Sequence, residues 1–139
     1  MKKRIITPAL ALMIIAFIAG CNKDTDNAAK WVGVYSSPGS ARDSINQVTI
    51  TEVNSSTIKL QLQAKYAGVV YTVATIQRAT LTTANTINVN ETGNIAGLPN
   101  LYTFTGSGNL SGNAITVSGQ GVNTTNSSDI RRYYFTGSK

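Results

Sequence analysis

Thr57-Ile58-Lys59-Leu60-Gln61-Leu62-Gln63-Ala64-Lys65 decides the fold. Ile58, Leu60, Leu62 and Ala64 fall on one face of an extended chain, and Lys59, Gln61, Gln63 and Lys65 fall on the other. Side chains of a strand point alternately to its two faces, so this pattern marks a strand with one dry and one wet side. A sheet buried on one face only is commonly antiparallel. Asn54-Ser55-Ser56 turns the chain just ahead of it, after a strand over residues 45–53 with Val48 and Ile50 on one face. Further upstream, Trp31-Val32-Gly33-Val34-Tyr35 reads as the first strand, broken by Ser36-Ser37-Pro38-Gly39-Ser40.

Downstream, residues 69–81 suffice for one bending strand or two short ones. Thr82-Thr83-Ala84-Asn85 turns into a strand over 86–91, and glycines 93 and 97 with Pro99 punctuate the next connection. Strands follow at 101–105, 114–119 and 130–136, separated by a Gly/Ser/Asn-rich loop at 106–113 and a polar loop at 120–129. The pattern predicts an all-β antiparallel meander of about eight strands, with no helix in the domain. Closing it into a β-barrel removes both edges. A barrel of that size is filled by side chains or holds one small ligand. An open two-sheet β-sandwich is the alternative.

At the other end of the sequence, Lys2, Lys3 and Arg4 precede an apolar run over residues 5–19, interrupted by Thr7 and Pro8. Small residues Ala19 and Gly20 then lead to Cys21. These are the basic, apolar and cleavage regions of a secretory signal. The run is shorter than the roughly 20 residues a membrane-spanning helix needs. Ile18-Ala19-Gly20-Cys21 resembles the lipobox of bacterial lipoproteins, with Ile where Leu is commoner. The resemblance implies that residues 1–20 are a signal peptide and that Cys21 is lipidated, making the membrane a partner. A diacylglycerol with an amide-linked chain anchors stably, because two chains hold where one does not. Residues 21–30 are polar and aperiodic and read as the lipidated cysteine and a flexible tether, leaving 31–139 as a single domain. Asn22 stands where an Asp would resemble an inner-membrane retention signal, which implies outer-membrane delivery. Lys23-Asp24 with Asp26 resembles the surface-export signal of Bacteroidota lipoproteins, which implies display on the cell surface, with the periplasmic face of the outer membrane as the alternative.

Losing Lys2, Lys3 and Arg4 takes the formal net charge from +6 to +3. The remaining basic residues are scattered, without a basic stripe interleaved with aromatics, which argues against nucleic acid as a partner. The lone cysteine forms no intrachain disulfide. There is no histidine, hence no usual general base and no commonest metal ligand. Asp43, Glu52, Glu91 and Asp129 are far apart in sequence and read as surface charges rather than a glycosidase-like pair. The glycines at 106, 108 and 112 lack the spacing and the following helix of a phosphate loop. No catalytic residue, metal site or cofactor is expected, and the chain reads as a non-enzyme.

Trp31-Val32-Gly33-Val34-Tyr35 ahead of a meander resembles lipocalin-like and related calycin barrels, although their Gly-x-Trp appears here as Trp-x-Gly. In that family an Arg of the last strand packs across the Trp. The resemblance implies Arg131, which shares parity with Tyr133 and Phe135, as a cation–π lid on Trp31. Tyr66, Tyr71 and Tyr102 are the candidates to line a ligand mouth, where a ring with a polar tip is useful. Asp43-Ser44-Ile45 matches the Asp-Ser/Thr-aliphatic acceptor pattern of Bacteroidota O-glycosylation and makes Ser44 a modification candidate. Two functions are expected to compete. One is an outer-membrane binding module for an apolar small molecule or glycan. The other is a structural or protein-interaction lipoprotein, an accessory subunit or inhibitor of an envelope enzyme.

Overall fold

A computed structural model describes residues 26–38 and 44–139. Cys21 and the whole leader lie outside the described residues, as do Arg42 and Asp43. Eight strands run in chain order: β1 (Gly33–Ser36), β2 (Gln47–Asn54), β3 (Thr57–Tyr66), β4 (Val69–Thr83), β5 (Thr86–Asn94), β6 (Leu101–Ser111), β7 (Ala114–Asn123) and β8 (Ile130–Ser138). Each pairs antiparallel with its neighbours in sequence, and β1 meets β8, so the meander closes into a barrel. The sandwich alternative is thereby excluded. Closure rests on one registered pair, Ser36 with Ser138.

β3 carries the decisive alternation as expected: Ile58, Leu60, Leu62 and Ala64 are buried inside, opposite Val48 and Ile50 of β2. Two-residue turns join β2 to β3, β3 to β4, β4 to β5 and β6 to β7, as tight antiparallel hairpins prefer. The long stretch from residue 69 is one bent strand. It carries two β-bulges against β3, where Ile58 to Leu60 faces Ala79 to Ile76 and where Leu62 to Gln63 faces Ala74 to Thr72. Beyond Ala79 the β4–β5 ladder stops, and it resumes only at the bridge between Ala74 and Ile95. Inside that gap the Glu91 carboxylate accepts backbone N–H bonds from Gln77 at 2.5 Å and Arg78 at 2.9 Å. A side chain thus satisfies donors that the first of these bulges takes out of the ladder.

The expected loop at 106–113 is instead ladder: β6 and β7 pair continuously from Tyr102 with Asn123 to Ser111 with Ala114. Only Gly112 and Asn113 turn, Gly112 at φ +57°. β7 likewise runs to Asn123, which shortens the expected loop at 120–129.

At one end of the barrel, Trp31 is fully buried and its Nε1 donates to the Ala84 carbonyl at 3.1 Å. Tyr35 donates to the Trp31 carbonyl at 2.9 Å. Ala28 is also fully buried in this core, and its carbonyl accepts from the Trp31 N–H. The packed domain therefore begins inside the stretch read as tether, because a small apolar side chain gains by covering the indole.

Candidate functional site

An eight-stranded barrel has an interior that side chains fill or that holds one small ligand, and here side chains occupy it. Trp31, Tyr35, Tyr102, Phe104 and Phe135 sit inside with a shell of Ile, Leu and Val. The room for these rings comes from inward-facing glycines. Gly106, Gly119 and Tyr133 are registered neighbours across β6, β7 and β8. The Tyr133 ring lies over both glycines, and a Cβ at either would run into its hydroxyl. That hydroxyl donates to the Thr105 carbonyl at 3.2 Å. Burial pushes the Tyr133 phenol up to about 12. Phe104 covers Gly93 and Gly121 in the same way and meets Tyr133 edge-on at 6.3 Å.

The barrel's other end carries a polar cluster. Tyr102 donates to Asp129 at 2.6 Å, Asn123 donates to the same oxygen at 3.2 Å, and Arg131 donates to the second oxygen at 2.8 Å. The Tyr102 hydroxyl, then Asn123, hold the Asp129 carboxyl below its ordinary value, and the Asp129 bond pushes the Tyr102 phenol up. The Asn123 Oδ1 accepts from the backbone N–H of Thr125 and Asn126, and the Asn123 N–H donates to the Asp129 carbonyl. The cluster ties down the β7–β8 connection. Tyr102, Asn123 and Asp129 bond to one another and to the backbone of the β7–β8 connection, so the cluster holds a loop.

The three tyrosines expected at a ligand mouth do not act together. Tyr102 is 1% exposed and tied to Asp129. Tyr66 and Tyr71, 47% and 56% exposed, stand on the β3–β4 hairpin. Tyr71 is opposite Ala64 and Tyr66 opposite Val69, so both occupy the inward-facing row where the hairpin runs past the core. Val69 and Val70 are exposed beside them. The hairpin turns through Ala67 at φ +49° and Gly68 at φ +80°.

The Trp31–Arg131 lid does not form. Arg131 keeps inward parity but sits at the opposite end from Trp31, paired with Asp129. The cation at the Trp31 end is Lys139, which sequence reasoning missed. Its Nζ donates to the carbonyls of Lys30 at 3.1 Å and Val32 at 2.9 Å and stands 5.3 Å from the Tyr35 ring centre. Ser44 is exposed and borders a groove with Ile45, Asn46, Tyr134 and Phe135. Of the carboxylates, Glu52 lies near Asp26; loss of surrounding water, then the Asp26 charge, push it up. Glu91 and Asp129 are each committed to structural bonds, and neither pairs with Glu52, whose carboxyl neighbour is Asp26. No three His, Cys, Asp or Glu side chains converge among the described residues.

No family model matches this chain, and neither a curated protein nor a solved structure matches it.

Proposed function

We propose that the protein is an outer-membrane-anchored bacterial lipoprotein whose barrel is a non-catalytic binding module, with recognition on its outer surface and rim. The filled interior counts against a ligand inside the barrel and supports recognition on the outside: an apolar small molecule has no room where Tyr133 and Phe104 lie on glycines. The chain enters the barrel at the Trp31 end. Residues 21–25, fully extended, span at most about 18 Å. A lipid on Cys21 would hold that end against the bilayer and turn the β3–β4 hairpin outward.

A protein-interaction role is the second reading, and the exposed Tyr66, Val69, Val70 and Tyr71 favour it. Exposed aromatic and aliphatic side chains grouped together commonly mark contact surfaces.

Two measurements on the full chain test the proposal. Cys21→Ser should abolish labelling by a radioactive fatty acid and shift the protein from the membrane to the soluble fraction. Unchanged membrane retention would remove the anchor. Native mass spectrometry of the detergent-extracted protein should show a glycan or small molecule that leaves on denaturation. A bare mass, with photo-crosslinks from position 70 to one envelope protein, would select the interaction role instead.

A further inference from the structure

The outer wall of β5–β8 is almost free of charge. Among its outward positions, all described, Arg132 is the one charged residue. Protein surfaces ordinarily mix many charges of both signs, and the other wall of this barrel does carry Lys59, Lys65 and Arg78. In place of charge there is a registered grid. Thr86, Asn109, Thr116 and Thr136 stand side by side across the four strands. In the next row stand Asn88, Ser107, Ser118 and Tyr134.

Thr86, Asn88, Ser107, Asn109, Thr116 and Ser118 of this grid line a surface depression of about 500 Å³. At its centre the side chains of Asn88, Ser107, Asn109 and Ser118 make no hydrogen bond to any described residue. At its margins the hydroxyls hold one another in place. Thr86 lies 2.7 Å from Thr82 and 2.6 Å from Thr83, and Thr116 lies 2.9 Å from Thr136. Tyr134, 67% exposed, stands beside Ser118 between this depression and the groove at Ser44, and meets Thr136 at 3.2 Å.

Amides and hydroxyls each offer donor and acceptor capacity. Sugar hydroxyls offer the same pair, and a neutral sugar carries no charge to be matched. Neighbouring strands stand about 4.8 Å apart and alternate residues about 6.7 Å, which places polar groups at the scale of a sugar ring. A phosphate or carboxylate polymer would find one cation on this wall, whereas such ligands are held by several. A protein partner would want buried aromatic or Arg anchors at the centre of its contact, and the centre here is Asn and Ser. Tyr134 supplies one ring face for the C–H side of a sugar.

We propose that the β5–β8 wall binds an uncharged glycan chain, with Asn88, Ser107, Asn109 and Ser118 as the hydrogen-bonding floor and Tyr134 as the stacking edge. This rests on the reading of the barrel as a binding module and gives that module its ligand class.

The test is an array of neutral cello-, chito-, malto- and manno-oligosaccharides probed with the detergent-solubilised full chain, with heparin and alginate fragments as charged controls. The parent should bind at least one neutral series and neither control. Asn88→Ala with Asn109→Ala should weaken that binding at least about tenfold, with an unchanged thermal midpoint as the check on folding. Ser107→Lys should do the same, while Tyr71→Ser on the hairpin should leave binding as it was. Neutral-glycan binding that survives the double variant and falls with Tyr71→Ser would overturn this wall as the site but leave the binding module standing. Binding to no neutral glycan, or to the charged fragments alone, would overturn the ligand class. If position-70 crosslinks to an envelope protein accompany that result, the module reading falls with it.

Discussion

Gly119 shows how much one missing methyl group decides in this molecule. A Cβ there would meet the Thr105 carbonyl oxygen and the Tyr133 hydroxyl, one of them backbone. Overpacking of a close-packed core typically costs about 1–3 kcal/mol. Gly119→Ala should therefore lower unfolding stability by about 2–3 kcal/mol, read as a reduced urea midpoint at unchanged slope. Tyr133 is the matching large residue. Its folded-state value of about 12 lies above the ordinary tyrosine value of 10.0. A group raised on folding contributes stability that is complete below its unfolded value and is lost as pH rises through the folded one. The barrel should thus lose stability between pH 10 and about 12. The loss should be at most about 2 kcal/mol, reduced where water reaches the hydroxyl. Tyr133→Phe should cost about 1 kcal/mol at neutral pH, through the lost bond to Thr105, and should flatten that alkaline limb. Denaturant titrations of both proteins across the alkaline range measure it.

Among the elements, the β3–β4 hairpin holds a local strain and the β4 bulge holds a local debt of donors. Ala67 takes the left-handed backbone region at φ +49°, where an L side chain is disfavoured by about 1–2 kcal/mol. Ala67→Gly should stabilise the protein by about 0.5–1 kcal/mol after the greater freedom of unfolded glycine is counted. A lower thermal midpoint would contradict that turn geometry. Glu91→Ala strips two backbone donors of their acceptor and should cost about 2 kcal/mol, with Glu91→Gln costing less because one amide oxygen remains. Faster amide exchange confined to Gln77 and Arg78 would locate the effect. Strands were legible where each carried its own inward face, as Ile58, Leu60, Leu62 and Ala64 do. Residues 106–113 were misread because Gly106 and Gly108 present no apolar side chain of their own. Their packing comes from Tyr133 and Ile87 on other strands, which no local pattern displays. The Glu91 cap was hidden for a similar reason, since it acts across a ladder gap set by register.

For the whole molecule, topology was readable and axial position was not. Arg131 does share the inward face with Tyr133 and Phe135, as its parity indicates. Ser36 opposite Ser138 sets Arg131 well up β8, while Trp31 lies on the far side of that pair. Lys139 takes the place instead, bound to Lys30 and Val32 across the closure. Lys139→Ala should weaken this seam, cost about 1–2 kcal/mol, and speed hydrogen exchange in β1 ahead of the rest of the barrel. Uniform protection across all eight strands would count against a weak seam. The polar outer wall was in view as Thr, Ser and Asn in abundance, yet its grid exists only once four strands are in register.

The single Ser36–Ser138 closure also sets how the domain bears load. Tension entering the chain ahead of Asp26 reaches Trp31 and β1 before any other element. β1 is held to β2 by four registered pairs and to β8 by one. Such a joint peels one pair at a time, so under that load the barrel unzips from β1 while the ladders of β5–β8 stay closed.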